Sequence, residues 1–226
     1  MTRAKAWFLG GGPGAADLLT VRAARAIAEA DIVIWGARLV MEEGVTENAR
    51  PDAELIPWPP ATMHQILGAY SRAKAEDLVV ARLVTGDPAV YVDMSQELDR
   101  VRELGLDHEI VPGAGALSAA AALLGTELVT AHSERSLLIT SPKAPIEKLA
   151  NPGEVTAVFM SGREPDLPER LIAAGYPPST RCAVISHATW PEEVVVQAEL
   201  GELDSVLADE RHDRQTILLV GWGLSV

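Results

Sequence analysis

The 226-residue sequence contains a single cysteine, Cys182. One cysteine cannot form an internal disulfide, and it excludes a metal site built from several cysteines. No apolar run reaches the roughly 18 residues that a membrane-spanning helix needs. The first residues lead directly into a short strand-like run, so we expect no signal peptide. Because reduced, disulfide-free chains are typical of the cytosol, these features predict a cytoplasmic protein without a membrane segment.

Basic residues and aromatic rings are also scarce. The 19 Lys and Arg residues are outnumbered by 32 Asp and Glu residues, which gives a net charge of −13. No long basic stripe offsets this charge, and there are only two Phe and three Tyr. Phosphate backbones require a positive surface, and single strands require aromatic stacking platforms. We therefore exclude nucleic acid as a partner, expect no metal site, and predict a protein that binds a small molecule.

The first half of the sequence alternates between short apolar runs and amphipathic stretches. The predicted strands are Ala6–Gly10, Asp31–Trp35, Ala53–Ile56, Leu78–Val84 and His108–Val111. The predicted helices are Ala16–Ala30, Thr62–Lys74 and Tyr91–Leu104. This alternation predicts a mainly parallel sheet with helices on its faces.

The second half has more strands and fewer helices. A small-residue helix is predicted from Gly115 to Gly125, followed by strands at Ser136–Thr140, Val155–Met160, Arg181–Ser186, Glu193–Glu199 and Thr216–Gly221. The clear helices among them are Glu164–Ala174 and Gly201–Ala208. A short Pro-containing turn joins two of the strands, which predicts antiparallel pairing and a mixed sheet. We predict two α/β domains, residues 1–113 and 114–226, with a ligand cleft between them.

The segment "FLGGGPGAADLLT" near the start joins a strand to a helix through glycines. Gly10, Gly12 and Ala15 satisfy the spacing of the dinucleotide fingerprint, in which glycines let a pyrophosphate approach the backbone. That fingerprint also needs an acidic residue at the end of the second strand. Here Asp31 stands at the beginning of that strand. The segment is thus either a nucleotide-binding loop of another kind or a tight turn between strand and helix.

Two further segments resemble this loop in position. "TGDPAVY" follows the strand Leu78–Val84, and "VPGAGA" follows the strand His108–Val111. The carboxyl ends of parallel strands meet at one edge of a sheet, where such folds bind ligands. Each loop alone is more often a plain turn. Three loops at the same edge predict a binding cleft.

With these loops, the chain resembles the tetrapyrrole (corrin/porphyrin) methylase family over nearly its whole length. The matching segments, in order, are "GGGPGAADLLTVRAARAIAEADIVI", "ARLVTGDPAVY", "EIVPGAGALSAAAALLG", "RSLLIT", "ATWPEEVVVQAEL" and "ILLVG". The resemblance implies two α/β domains that bind S-adenosyl-L-methionine in a cleft, release S-adenosyl-L-homocysteine, and form a homodimer. The first loop and the "ATWP" segment resemble the branch that methylates precorrin-4 at carbon 11 in cobalamin biosynthesis.

The resemblance also implies cofactor contacts at single positions. They are Pro13, Gly86, Asp87, Val90, Gly115, Ala116, Met160, Ala188 and Thr216. Many of these contacts would be made by the backbone, which explains the small residues. Met160 and Val90 would offer apolar surface to the adenine.

The tetrapyrrole substrate would carry many carboxylates, so an acidic protein needs a locally basic cleft. Arg38, after the second strand, is the first candidate for a carboxylate contact, and a solvated surface arginine is the alternative. The further candidates, also open to a solvent-facing interpretation, are His64, Tyr91, Arg135 and Lys143.

The chain departs from the family in the first loop. Many relatives have Asp-Pro where this chain has Ala15-Ala16, so the sequence identifies no catalytic residue. Two alternatives to a precorrin-4 methylase stay open at this point. One is a paralogue that uses the same cofactor on a non-corrin acceptor, and the other is a non-catalytic nucleotide-binding protein.

Overall fold

The computed structural model describes residues 3–131, 136–162, 164–212 and 215–221. The chain divides into two compact units, Met1–Ala116 and Leu117–Val226. The boundary predicted from the sequence, after residue 113, lies just before this division. Each unit builds its own five-stranded sheet. Within the described residues, no helix is both long and apolar enough to cross a lipid bilayer.

The first unit is built around a fully parallel sheet. Its strands are β1 (Lys5–Gly10), β2 (Ile32–Gly36), β3 (Glu54–Trp58), β4 (Val79–Val84) and β5 (Asp107–Val111). Their order in the sheet is β3-β2-β4-β1-β5. The helices are α1 (Val21–Glu29), α2 (Glu42–Thr46), α3 (Met63–Glu76) and α4 (Ser95–Glu103). The next helix, α5 (Ala116–Leu123), begins at the last residue of this unit and otherwise belongs to the second unit. The predicted parallel sheet is confirmed.

Both faces of this sheet are covered, which explains its apolar strands. All six residues of the central strand β4 are buried. Alternate residues of the strands belong to two separate cores, with Phe8 in one and its neighbour Leu9 in the other. Parallel strands covered on both faces have near-continuous apolar sequences rather than alternating ones.

The helix predicted over Ala16–Ala30 is divided in two. A 3₁₀ turn covers Ala16–Leu18, and Leu19 and Thr20 are then extended, with ψ angles of 138° and 148°. The Thr20 hydroxyl caps α1 by accepting the Ala23 N–H at 3.1 Å. A residue that caps a helix stands in an extended conformation, so Thr20 separates the two pieces.

The helix predicted over Tyr91–Leu104 begins only at Ser95, as α4. Tyr91 has a φ of 62°, which is outside the right-handed helical region. The first residues of the predicted helix therefore belong to the loop that follows β4.

The second unit has the predicted mixed sheet. Its strands are β6 (Leu137–Thr140), β7 (Val155–Phe159), β8 (Arg181–Ser186), β9 (Val194–Glu199) and β10 (Thr216–Val220). Their order is β6-β7-β10-β8-β9. Only β6 and β7 pair in parallel, whereas β10 is antiparallel to both neighbours and β8 is antiparallel to β9. The helices are α6 (Ile146–Leu149), α7 (Leu167–Ala173) and α8 (Leu203–Leu207).

The sequence gives no signal for α2 and α6. They contain five and four residues. A helix of one turn is too short to show a repeating apolar pattern, and tertiary packing supplies its stability. In α6, Ile146 is fully buried in the core that also contains Leu171 and Leu203.

Candidate functional site

The three glycine-containing loops of the first unit come together at the carboxyl edge of its sheet, as predicted. Gly12 and Gly86 form a backbone bridge between the loops after β1 and β4. The Gly86 N–H donates to the Gly12 carbonyl at 2.8 Å, and the Gly12 N–H donates to the Gly86 carbonyl at 3.4 Å. The Gly11 N–H donates to the Val84 carbonyl at 2.7 Å. The first loop is therefore held by its neighbour and is not an isolated turn.

The third loop touches both of the others so closely that only glycine fits. A Cβ atom on Gly113 would lie 2.3 Å from the Gly86 carbonyl oxygen and 2.7 Å from the Gly10 Cα. A Cβ atom on Gly10 would lie 2.4 Å from the Gly113 Cα. Glycine permits this backbone-to-backbone packing because it has no side chain. The result is close main-chain packing of the three loops against one another.

The cofactor residues predicted in the second and third loops lie near one another. An ideal Cβ on Gly86 is 3.5 Å from the Ala116 nitrogen and 3.8 Å from the Gly115 Cα. Apart from its chain neighbours, a Cβ on Gly115 would meet the Asp87 Cβ alone, at 4.0 Å, among the residues that the structure describes. Val90 in the same loop is 39% exposed. Space beside Gly115 and exposed apolar surface are both present at this edge.

Pro13 follows the bridge residue Gly12 and is buried. Gly12 itself has a φ of 77°, so any side chain there is strained whether or not a ligand is bound.

The three substrate candidates also follow strands of the first sheet. Arg38 is exposed, in the turn after β2. This turn is tied to the end of β3, because the Ala37 N–H donates to the Trp58 carbonyl at 2.9 Å. His64 is exposed in the first turn of α3, and Tyr91 is 47% exposed in the loop after β4. All three thus stand on the carboxyl side of the sheet, where the glycine loops lie.

Asp31 precedes β2 and lies at the opposite edge of the sheet from the glycine loops, where its carboxylate has a structural role. Its carboxylate accepts the Val79 N–H at 2.8 Å and forms ion pairs with Arg3 at 2.9 Å and Arg50 at 3.2 Å. Burial alone would raise the pKa of Asp31, but the Val79 N–H and the two arginines outweigh it and lower that pKa. A carboxylate at this edge does not serve as the ribose-binding acid of a dinucleotide fold.

In the second unit, the predicted residues Met160, Ala188 and Thr216 lie at the same end of three neighbouring strands. Met160 follows β7, Ala188 follows β8, and Thr216 begins the antiparallel β10 between them. Backbone bonds join these ends, with the Ser161 N–H donating to the Thr216 carbonyl at 3.1 Å. The His187 N–H donates to the Gln215 carbonyl at 3.0 Å.

Several residues at this end have unusual backbone conformations. Met160, His187 and Thr189 have φ angles of 57°, 51° and 68°. Positive φ is uncommon for residues with side chains, and such strain concentrates at ligand sites. Met160 is also 43% exposed, so it offers apolar surface as the resemblance implies.

The Thr216 side chain is buried within a polar network. Its hydroxyl lies 2.6 Å from the Ser186 hydroxyl, which lies 2.8 Å from His212 Nδ1. Burial lowers the pKa of His212, so the imidazole is neutral near pH 7. The Thr216 hydroxyl is thus committed to this network, and only 1% of the residue is exposed. Sequence reasoning missed Ser186 and His212 as supports of this strand end, because their contact depends on tertiary packing.

The single cysteine is unsuited to nucleophilic chemistry. Burial raises the pKa of the Cys182 thiol to about 12, so it is not a thiolate nucleophile. Lys143 is exposed beyond β6, and Arg135 lies outside the described residues. In the part of the chain that the structure describes, no group of three His, Cys, Asp or Glu side chains could hold a metal ion.

Comparisons with known proteins agree with this architecture. Residues 5–204 match the family model described as Tetrapyrrole (Corrin/Porphyrin) Methylases. The chain is 31% identical over 225 residues to a precorrin-4 C(11)-methyltransferase of Mycobacterium tuberculosis, covering 95% of this chain and 89% of that protein. It is 30% identical over 226 residues to a cobalt-precorrin-4 C(11)-methyltransferase of Methanocaldococcus jannaschii, covering 96% and 87%. The X-ray structure of a cobalt precorrin-4 methyltransferase matches with a TM-score of 0.91 and 27% identity, covering 99% and 97%.

Proposed function

Since the chain belongs to the tetrapyrrole (corrin/porphyrin) methylase family, we propose that it is an S-adenosylmethionine-dependent methyltransferase that methylates precorrin-4 at carbon 11 in cobalamin biosynthesis. The observation that carries this proposal is similarity over almost the full length of relatives named for that reaction. The close main-chain packing of the three loops at the carboxyl edge of the first sheet also supports it.

The residues present fit the proposed cofactor. In the first unit, Gly86, Asp87, Val90, Gly115 and Ala116 contribute backbone groups, apolar surface and the space that a Cβ on Gly115 would fill. Pro13 belongs to the same loops. In the second unit, the contacts proposed for Met160, Ala188 and Thr216 come from one strand end. Adenine rests on apolar side chains, and polar groups of the cofactor bind main-chain groups.

The chemistry explains why reactive side chains are few. S-adenosylmethionine supplies a methyl group on a positively charged sulfur, and its departure leaves S-adenosylhomocysteine. The chain's own residues hold the acceptor carbon near that methyl group and in line with it. Such alignment can contribute about 7–11 kcal/mol to lowering a barrier. We assign no residue as a catalytic acid or base.

Homodimeric assembly, which the family resemblance implies, and a cytoplasmic location, which the composition predicts, stay part of this proposal. The small-molecule partner is the tetrapyrrole itself.

The test is methyl transfer from isotopically labelled S-adenosylmethionine to a set of acceptors. We expect label in precorrin-4 or its cobalt form, and little in uroporphyrinogen III. S-adenosylhomocysteine should inhibit the transfer, whereas the same concentration of NAD should not. Transfer only to a non-corrin acceptor would support the paralogue alternative. A protein that binds neither S-adenosylmethionine nor its product would contradict the proposed function.

Replacing Arg38 with alanine tests the proposed substrate contact. If the exposed Arg38 guanidinium binds a carboxylate of the macrocycle, Arg38→Ala should weaken acceptor binding by about 1.5–3 kcal/mol, which is roughly ten- to a hundredfold. Arg38→Lys should recover only part of the loss, because an ammonium cannot make the planar two-bond contact. The acceptor KM and the S-adenosylhomocysteine Kd are measured in parallel, and the second should not change.

Salt provides an independent check on the same contact. Raising the ionic strength should weaken acceptor binding more in the wild type than in Arg38→Ala, because the missing contact is electrostatic. An unchanged acceptor KM in the variant would mean that Arg38 is a solvated surface residue.

A further inference from the structure

A buried ion pair stands beside the loop that follows β4. Arg82, within β4, and Glu97, in the first turn of α4, are only 4% and 2% exposed. Arg82 Nε donates to both carboxylate oxygens of Glu97, at 3.1 and 2.9 Å. The Tyr70 hydroxyl, from the fully buried Tyr70 of α3, donates to Glu97 at 2.5 Å. Arg82, Glu97 and Tyr70 are called the buried triad.

The triad connects the two ends of one loop. β4 ends at Val84 and α4 begins at Ser95, so Arg82 and Glu97 flank residues 85–94 on either side. This loop carries four of the proposed binding residues, Gly86, Asp87, Val90 and Tyr91. The Asp93 carboxylate accepts from the Ser95 N–H and hydroxyl at 3.0 and 2.7 Å, but Asp93 itself belongs to the loop. Glu97 ties the first turn of α4 to the sheet, through Arg82.

The triad also touches the segment before α3. The Arg82 guanidinium carbon lies 5.6 Å from the centre of the Trp58 ring, and Trp58 is the last residue of β3. From there the chain leads to α3, which carries His64 in its first turn and Tyr70 in its buried face. The contacts of the triad therefore join β3, α3, β4 and α4. Two segments next to these elements, the loop after β4 and the first turn of α3, carry proposed binding residues.

Stability alone does not explain buried charges in this position. Removing two charges from water is costly, and apolar residues of similar size often replace a buried ion pair with no loss of stability. An ion pair with hydrogen bonds differs from apolar packing because its distances and angles are fixed. It restricts how the start of α4 lies relative to the end of β4.

We propose that the buried triad positions residues 85–94 for binding of the cofactor. The inference rests on the proposed function, because it takes these residues as cofactor contacts. The members of the triad are positioning residues. They act through Gly86, Asp87 and Val90, and loss of the triad should weaken binding even where the fold is retained.

The test replaces the triad with apolar side chains, as Arg82→Met/Glu97→Leu/Tyr70→Phe. We expect an unfolding midpoint in urea close to that of the wild type and a Kd for S-adenosylhomocysteine at least tenfold higher. The matched control is Arg102→Gln/Asp99→Asn, which removes an exposed ion pair of the same helix, 3.2 Å long, and should leave both values unchanged. A folded triple variant with the Kd of the wild type would overturn the proposal.

If the triple variant does not fold, Arg82→Lys provides a second test of the positioning role. It keeps the buried charge but loses the Nε geometry, so we expect a Kd several-fold higher with the unfolding midpoint nearly retained. A wild-type Kd in a folded Arg82→Lys protein would equally overturn the positioning role.

Hydrogen exchange separates this proposal from the proposed function. If the triad positions the loop, amide exchange over residues 85–94 in the absence of ligand should be faster in the triple variant than in the wild type. The same exchange should be unchanged in the control. If the wild type fails to bind S-adenosylhomocysteine but the exchange differs as expected, the cofactor assignment is wrong and the positioning of the loop holds. If exchange in this loop is unchanged, the triad does not position it.

Discussion

Gly113→Ala is expected to destabilise the first unit and to weaken binding of S-adenosylhomocysteine. The added Cβ would lie 2.3 Å from the Gly86 carbonyl oxygen and 2.7 Å from the Gly10 Cα. Both neighbours are backbone atoms at the ends of packed strands, so no side chain can rotate away to make room. Overpacking of this kind costs about 1–3 kcal/mol or more. Because the same contacts hold the three loops together, affinity should fall with stability.

The measurement is urea unfolding followed by circular dichroism, beside calorimetric titration. Gly68→Ala is the matched control, since a Cβ at this position of α3 meets nothing within 4 Å. It should stabilise the protein by about 0.5–1 kcal/mol, because alanine is the better helix former. If Gly113→Ala unfolded at the wild-type midpoint, the close packing of the three loops would be refuted.

The architecture was predictable because it depends on patterns that repeat over many residues. Apolar runs such as Val79–Val84 and the alternation with helices specify a covered parallel sheet, and the structure has one. The predicted helix boundaries are wrong where the backbone conformation of a single residue ends or interrupts the helix. Tyr91 departs from helical φ, and Thr20 leaves the helix to cap α1. The spacing of apolar residues carries no information about either of these two backbone conformations.

The candidate site was predictable to the extent that it depends on backbone and loops. Glycines at strand ends indicate close approach, and Gly10, Gly86 and Gly113 do approach closely. Buried polar side chains were missed, because burial is decided by tertiary packing. Glu97, on a helix with a polar sequence, could equally have faced solvent. The available signal was its partner, since Arg82 interrupts an apolar strand and a charge in such a strand needs a buried counter-charge.

Gly115→Val is expected to abolish cofactor binding and leave the fold intact. The Gly115 φ is outside the left-handed region, and among the described residues beyond its chain neighbours a Cβ there would meet only the Asp87 Cβ, at 4.0 Å. The described part of the protein therefore has room for a Cβ at the position before α5, and we expect it to tolerate valine. The proposed cofactor does not, because the valine methyl groups enter the space that it would occupy. We expect the S-adenosylhomocysteine Kd to rise more than a hundredfold, about 2.7 kcal/mol, and Gly115→Ala to show a smaller rise.

Gly115 separates binding from folding in a way that the other loop glycines cannot. Gly12 has a φ of 77°, and Gly113 has no room, so a substitution at either position lowers stability and affinity together. Titration of Gly115→Val with S-adenosylhomocysteine is therefore paired with its urea midpoint, which should stay near that of the wild type. Wild-type affinity in this variant would mean that the cofactor does not lie beside the start of α5. The contacts proposed for Gly115 and Ala116 would then be wrong, although the packing of the three loops would stand.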